Sequence, residues 1–558
     1  MDEEYSKDRD VYKAATSIFE VKVPVTTLMS TELTNVVPND TVSITDGIYE
    51  DSGLQEWCNR NCYLQGGKDF LWKIVSNPTY NVATLQDRQR RILSFGKNMS
   101  KISALLRRLQ SVEKDILWIC SISDIKKAWP ANLLFPSGPV LKYLNYNIYI
   151  LNAFHLYRCV ISPIMNAVTP LATVFAPYVY LKRKMNLPLS LGTYIHLLWV
   201  TVREAIKMGG SIRQGATRFV TVLVYIFIYF YNIVQGYHYT RMLYQLRKVL
   251  VKKAQSLSTF VATFKKLEMV AGIPKSRILS AAPNVSSLYS FITVPERRID
   301  LFKMLEAVYT TDAYFVATNH LLGKKGYSPV KFTDSTKLYN MGHVLLGTTQ
   351  VCNPCTLDKS LVITGPNAAG KTTYTKALCA NIILSQSLGI ARATEAHIAP
   401  VHAIGSFMRV TDTVGKQSLF EAEVKRCSEI CQQAHTAVSA GKRAVYFLDE
   451  PMHSTPPLEG TATSFAVLEY LGKLPGVKVV LTTHYHELRI LGVEASDYFK
   501  NISMEAIASD KGFIFPYTIR SGASLQSIAL ELLDEKDLHP SIVKRAINIK
   551  EKLLSQCD

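Results

Sequence analysis

The run Thr364-Gly365-Pro366-Asn367-Ala368-Ala369-Gly370-Lys371-Thr372-Thr373 limits what this chain can fold into more than any other stretch, because it fits G-x-x-x-x-G-K-[ST]. Such a loop works in one setting, between a buried strand and a helix that begins at its lysine. Both neighbours are present: Ser360-Leu361-Val362-Ile363 is short, apolar and β-branched, and Tyr374-Thr375-Lys376-Ala377-Leu378 reads as helix. Glycines there let backbone amides close around phosphate oxygens at the helix N-terminus. Gly365, Pro366, Asn367, Ala368, Ala369, Gly370, Lys371, Thr372 and Thr373 are therefore expected to wrap a triphosphate. Lys371 would supply a mobile cation for its outer phosphates, and the Thr372 hydroxyl a ligand for magnesium.

Two further apolar runs extend the α/β pattern. Val445-Tyr446-Phe447-Leu448-Asp449-Glu450 ends in adjacent carboxylates, which places Asp449 near a metal and Glu450 near an attacking water. Gly476-Val477-Lys478-Val479-Val480-Leu481 leads into Thr482-Thr483-His484-Tyr485-His486, where a strand-terminal His484 can sense the outermost phosphate. Metal binding by His484 and His486 lacks further ligands at metal spacing, and Cys352-Asn353-Pro354-Cys355 is a C-x-x-C without a second pair. Taken together, the loop, the acid pair and the histidine strand predict an ABC-type P-loop ATPase using ATP and Mg2+.

At 558 residues the chain is long enough for two to four domains. Its net charge of +18 suits a polyanionic partner, nucleic acid or an anionic membrane surface. Ten scattered cysteines make no disulfide framework at this size and fit a reducing compartment. The acidic start, Met1-Asp2-Glu3-Glu4, with no early apolar run, argues against a secretory signal, so the nucleus or cytoplasm is expected.

Along the chain, residues 1–53 show no sustained periodicity and read as a peripheral segment. Residues 54–139 carry apolar positions at helical spacing, as in Phe70-Leu71-Trp72-Lys73-Ile74-Val75, and predict the first part of a helical platform. The region 140–255 differs. Cys159 to Leu181 and Phe219 to Thr240 run for 23 and 22 residues without one Asp, Glu, Lys or Arg, lengths that can span a bilayer. Residues 182–253 then hold twelve Lys or Arg against a single acid, Glu204. Helical periodicity returns over 256–337, with a break at Asn284-Val285-Ser286-Ser287. The α/β domain is expected over 338–535, ahead of closing helices at 536–558.

These motifs resemble the MutS mismatch-repair family. Thr364-Gly365-Pro366-Asn367 matches its loop lead-in, although Ala-Gly-Lys-Thr-Thr replaces the more usual Gly-Gly-Lys-Ser-Thr. Met341-Gly342-His343-Val344, Val351-Cys352-Asn353-Pro354, Gln417-Ser418-Leu419-Phe420-Glu421-Ala422-Glu423-Val424 and Thr483-His484-Tyr485-His486-Glu487-Leu488 are each similar to a family signature. So is Arg520-Ser521-Gly522-Ala523-Ser524. The resemblance implies a homodimer or a paralogous heterodimer, with Ser418 approaching the nucleotide held by the opposite subunit and Tyr517 stacking near adenine. It also implies ATP hydrolysis and closing dimerisation helices. The family's N-terminal mismatch-reading domain is expected to be missing, as no Phe here is followed two residues later by Glu. Pro451-Met452-His453 departs from the family's I-G-R-G, so slow turnover is expected.

Two readings of residues 140–255 stay open. In the family two lever helices reach a clamp on the DNA backbone, and the basic residues of 182–253 fall where those contacts would be. The apolar runs would then be buried lever surface, and the chain a DNA-binding ATPase of repair or recombination. On the alternative reading, 159–181 and 219–240 enter a membrane and anchor a MutS-like ATPase without mismatch-repair activity. Tyr237 and Tyr239 suit an interface, whereas Pro163, Pro170 and Pro177 interrupt the first run.

Overall fold

The computed structural model describes residues 40–45, 47–122, 131–207, 212–278, 280–323, 326–408, 419–509, 512–526, 528, 530 and 539–554. They fall into two compact units, one built from residues 108–268 and 274–305, the other from 40–107, 269–273 and 306–554.

The larger unit is organised by a seven-stranded sheet. Its strands are β1 (Ser43–Ile44), β5 (Ser360–Thr364), β8 (Ala403–Phe407), β9 (Ala444–Asp449), β10 (Val477–Thr482), β11 (Phe499–Met504) and β14 (Ile519–Ser521). Their order is β1-β8-β9-β10-β5-β11-β14, parallel throughout except for the antiparallel β14 at one edge. The three runs that the sequence marks as strands lie side by side at its centre, and every residue of β5 is buried. Such strands are apolar on both faces because helices cover both. Ala444, Tyr446 and Leu448 share one face with Val477, Val479 and Leu481, packed against α13 (Leu419–Ser439) and α14 (Pro457–Lys473). On the other face lies α12 (Lys371–Leu388), with fifteen of its residues buried.

So enclosed a helix needs a second layer. It comes from α1 (Ile48–Ser52), α3 (Gln65–Val75) and α4 (Val82–Ser94), with α2 (Leu54–Asn61) between the first two. Arg88, itself buried, donates to the Ser387 carbonyl at 2.6 Å, and Thr79 N–H to Gln386 at 2.8 Å. Residues 43–44, to which the sequence assigns no role, add an edge strand beside β8. A smaller sheet, in the order β4-β3-β7-β2-β6, contains β2 (Ser328–Phe332), β3 (Lys337–Met341), β4 (Asn353–Thr356), β6 (Ile390–Ala391) and β7 (Glu395–Ile398), and β12 (Ile507–Ser509) pairs antiparallel with β13 (Gly512–Ile514).

The other unit is helical: the second half of α5 (Met99–Ser121), α6 (Ile148–Leu156), α7 (Ser162–Arg183), α8 (Leu191–Lys207), most of α9 (Ile212–Ala271), α10 (Val285–Thr293) and the start of α11 (Pro295–Leu322). The break read at Asn284 is a helix start, since its side chain accepts from Ser287 N–H at 2.8 Å and caps α10.

The two halves of α9 differ sharply. From Leu243 to Leu267 the buried positions, Leu243, Leu246, Leu250, Ala254, Leu257, Phe260, Val261, Phe264 and Leu267, recur at helical spacing and form the core. From Val220 to Thr240 no described side chain is buried. In the run 159–181, Cys159 is the one buried residue among those described. The clamp reading expects these runs to be covered lever surface; here they are exposed.

That reading also counts Lys253 among its surface cations. Instead Lys253 is buried and paired with Asp115 at 2.7 Å, and Ser256 holds the other oxygen of the same carboxylate at 2.5 Å. Among the described residues, one helical stretch is long and apolar enough to cross a membrane, Ile148–Ala172, which begins earlier than the charge-free run 159–181.

Candidate functional site

Because β5, β8, β9, β10 and β11 are parallel, their C-terminal ends lie along one edge of the sheet, where ligands of open α/β sheets bind. Register pairs Thr482 with both Asp449 and Ile363, and Ser503 with Thr364. Segments more than a hundred residues apart in sequence therefore end side by side.

The loop Gly365–Gly370 turns directly into α12. Gly365 has φ 144°, and a Cβ there would lie 2.0 Å from the Met504 carbonyl oxygen. Gly370, at φ 98°, is the residue before the first turn of α12, and Ala368 also takes a positive φ of 65°. Lys371 is buried, and its Nζ donates to the carbonyls of Gly365 at 2.8 Å and Pro366 at 3.1 Å. Burial lowers its pKa against the opposing pull of Glu450 and Asp449.

Asp449 ends β9 and gathers two hydroxyls. Thr372 Oγ1 lies 3.1 and 3.0 Å from its two oxygens, and Thr482 Oγ1 donates to the same carboxylate from the neighbouring strand. A carboxylate facing a helix N-terminal hydroxyl is an oxygen-rich seat fit for a hard divalent cation such as Mg2+. Glu450, the next residue, takes the left-handed conformation at φ 50°, uncommon for a non-glycine residue, with its N–H held by the Thr482 carbonyl at 3.0 Å. It pairs with His484 Nε2. Burial raises the Glu450 pKa, but the hydrogen bond and charge of His484, then Lys371 and His453, leave it below the ordinary glutamate value.

Tyr517 stands on the far side of the loop at φ 56°, its ring beside Gly370. Asn353 holds it there, donating to the Tyr517 carbonyl at 2.8 Å and accepting from Ile519 N–H at 2.9 Å. A cavity of 720 Å³ opens between these groups, lined by Pro366, Asn367, Ala368, Gly370, Lys371, Thr372, Thr373, Glu450 and Tyr517, with His343, Asn353 and Met504 among the rest. Asp449 and His484 reach it through Thr372 and Glu450. Gly365 and Ala369 are not among its lining residues, and His486 begins a short 3-10 turn. Ser418 lies outside the described residues.

Several contributors carry no motif. Ser524 N–H donates to Thr364 Oγ1 at 2.7 Å. Glu423, fully buried on α13, accepts from Ser454 Oγ at 2.5 Å and lies 2.8 Å from His453 Nδ1, so the departure at 451–453 is tied to the signature helix. Only the sheet register could have revealed Thr482.

The family model described as MutS domain V matches residues 361–554, from β5 through α15 (Pro540–Leu554). Two relatives called DNA mismatch repair protein MutS, from Bacillus cereus (strain B4264) and Bacillus thuringiensis (strain Al Hakam), are each 28% identical over 296 residues, 52% of this chain. Residues 361–554 are a MutS domain V.

The match spans 30% of the length of those relatives. What this chain shares with the family model is the part that carries the loop, the acid pair, His484 and Tyr517. Residues 40–107 of the same unit, which enclose α12, precede the span of the model.

Proposed function

We propose that this protein is an ABC-type P-loop ATPase of the MutS kind, binding MgATP in the cavity at the β5–α12 loop and hydrolysing it slowly between two copies of the chain. The convergence of Thr372, Asp449, Glu450 and His484 at the ends of three adjacent strands carries the reading. The backbone of Gly365–Gly370 and the N-terminus of α12 favour phosphate oxygens there. Lys371 swings from the loop carbonyls onto the outer phosphates, and Tyr517 stacks on the adenine. Thr372 and Asp449 would hold magnesium, which would supply charge neutralisation for the phosphates. Glu450, kept ionised by His484, orients water. Ser418 completes the neighbouring subunit's site, and hydrolysis reopens the pair.

Isothermal titration with MgATP and a steady-state phosphate-release assay test this. Lys371→Ala should abolish binding, and Glu450→Gln should bind while failing to turn over. A purified chain with no affinity for adenine nucleotides in the presence of magnesium would overturn it.

The name carried by the relatives makes DNA repair or recombination the process to test first. We expect no preference for a mispair when matched, mismatched and branched duplexes are compared across a salt series, and clear selection of a mispair would contradict that.

A further inference from the structure

We propose that the helical stretches 148–207 and 212–241 are seated in a lipid bilayer bearing anionic head groups, with the charge-free parts of α7 (to Leu181) and α9 (Phe219 to Thr240) in its hydrocarbon. This goes beyond the ATPase reading and stands on the helical unit alone.

Exposure on every side carries the argument. Leu223, Val224, Tyr225, Ile226, Phe227 and Ile228 are six successive positions, more than one full turn at 3.6 residues per turn, and all six are exposed, Phe227 by 70% and Tyr225 by 69%. Scattered exposed apolar residues are ordinary on a soluble protein, but a continuous apolar surface of this extent is not. A protein partner docks on one stripe of a helix and leaves the rest in water. Fluid hydrocarbon covers the whole circumference.

Length fits as well. The 22 residues from Phe219 to Thr240 rise about 33 Å as a helix, against about 30 Å of hydrocarbon in a bilayer. The same helix returns to a one-sided, core-facing pattern from Leu243 onward, so the change of environment coincides with the end of the charge-free run.

Two threonines inside the runs bond within their own helices, as a medium without water favours. Thr169 and Thr240 donate back to the carbonyls of Met165 and Gly236, at 2.6 and 2.7 Å. Pro170 and Pro177 lie inside α7 and deprive the carbonyls of Asn166 and Thr173 of their usual donors. Beside each opening a tyrosine from another helix enters: Tyr229 of α9 donates to Ala167 at 2.9 Å, and Tyr194 of α8 to Val174 at 2.7 Å.

Charge selects the lipid. From residue 125 to 267 there is one acid, Glu204. Lys182, Arg183 and Lys184 close the first run and Arg241 the second, all exposed. Basic residues at the ends of apolar spans match anionic head groups.

Flotation of the full chain with phosphatidylcholine vesicles, with and without phosphatidylserine, tests the assignment. The chain should float, withstand high salt and alkaline carbonate, and need detergent for release. Val224→Glu with Phe227→Glu puts acids at exposed mid-span positions, where a water-facing arm would accept them. In hydrocarbon each should lower partitioning roughly a hundred-fold, so the variant should leave the vesicle fraction with MgATP turnover intact. Replacing Lys182, Arg183 and Lys184 by Gln should weaken the preference for phosphatidylserine. Independently of any loss of folding, the fluorescence of Trp199, 65% exposed on α8, should be quenched by brominated phosphatidylcholine, a component missing in Trp199→Phe. A wild-type chain that stays in solution without detergent, or leaves the vesicles in salt and binds duplex DNA through this segment, overturns the proposal. Neither result bears on nucleotide binding.

Discussion

The hydroxyl of Thr372, in the first turn of α12, meets both carboxylate oxygens of Asp449, at 3.1 and 3.0 Å, across 77 residues of sequence. One comes from the helix after β5 and the other from the end of β9, with β10 between those strands. Removing the carboxylate while keeping its shape isolates the charge. Asp449→Asn should leave magnesium-free nucleotide binding near wild type and lower magnesium-dependent hydrolysis at least about a hundred-fold. Phosphate release measured with and without magnesium checks it, and equal losses in both conditions would speak for a merely structural part.

Glu450 is expected to lose turnover without losing affinity. Glu450→Gln should slow hydrolysis by roughly a hundred- to ten-thousand-fold at unchanged MgATP affinity. Burial pushes its folded pKa up, but His484, Lys371 and His453 outweigh that and hold it below the ordinary glutamate value. The stabilisation from that ionised form is therefore present above the ordinary glutamate range and is lost as pH falls through the depressed value. Thermal melts of the wild type and Glu450→Gln between neutral and acid pH should converge at the acid end. A difference that widens on acidification would reverse the sign.

Two glycines with positive φ separate backbone geometry from crowding. At Gly365 a Cβ meets the Met504 carbonyl, whereas at Gly441, φ 66°, nothing lies within 4 Å. Gly441→Ala should cost about 1 kcal/mol for its backbone alone, and Gly365→Ala about 3 kcal/mol or more, together with nucleotide binding. Denaturant unfolding ranks the pair, and equal costs would refute the close approach of β11 to the loop.

Lys253 discriminates between a surface and a core role. Its side chain is 10% exposed and that of Asp115 21%, with Trp118 beneath its ammonium at 5.1 Å. Lys253→Ala strands a carboxylate in the core and should destabilise the helical unit by about 3 kcal/mol, leaving the salt dependence of any DNA binding unchanged. A variant of wild-type stability with a shallower salt slope would restore the phosphate-contact reading.

What could be read from the chain in advance was local. The phosphate loop, the Asp449-Glu450 pair, His484 and the three central strands each occupy a few consecutive residues, and their chemistry requires that spacing. The charge-free runs and the basic excess were equally plain. Which medium surrounds them was not, because composition does not say whether an apolar side chain is covered by its own fold.

The tertiary structure decided the pairings. Thr482 on Asp449, Asn353 behind Tyr517, Met504 against Gly365, β1 beside β8 and Asp115 under Lys253 all depend on strand order and helix packing between distant segments. A side chain's partner across a sheet or a helix interface is set by register, and register arises only when the whole apolar core closes.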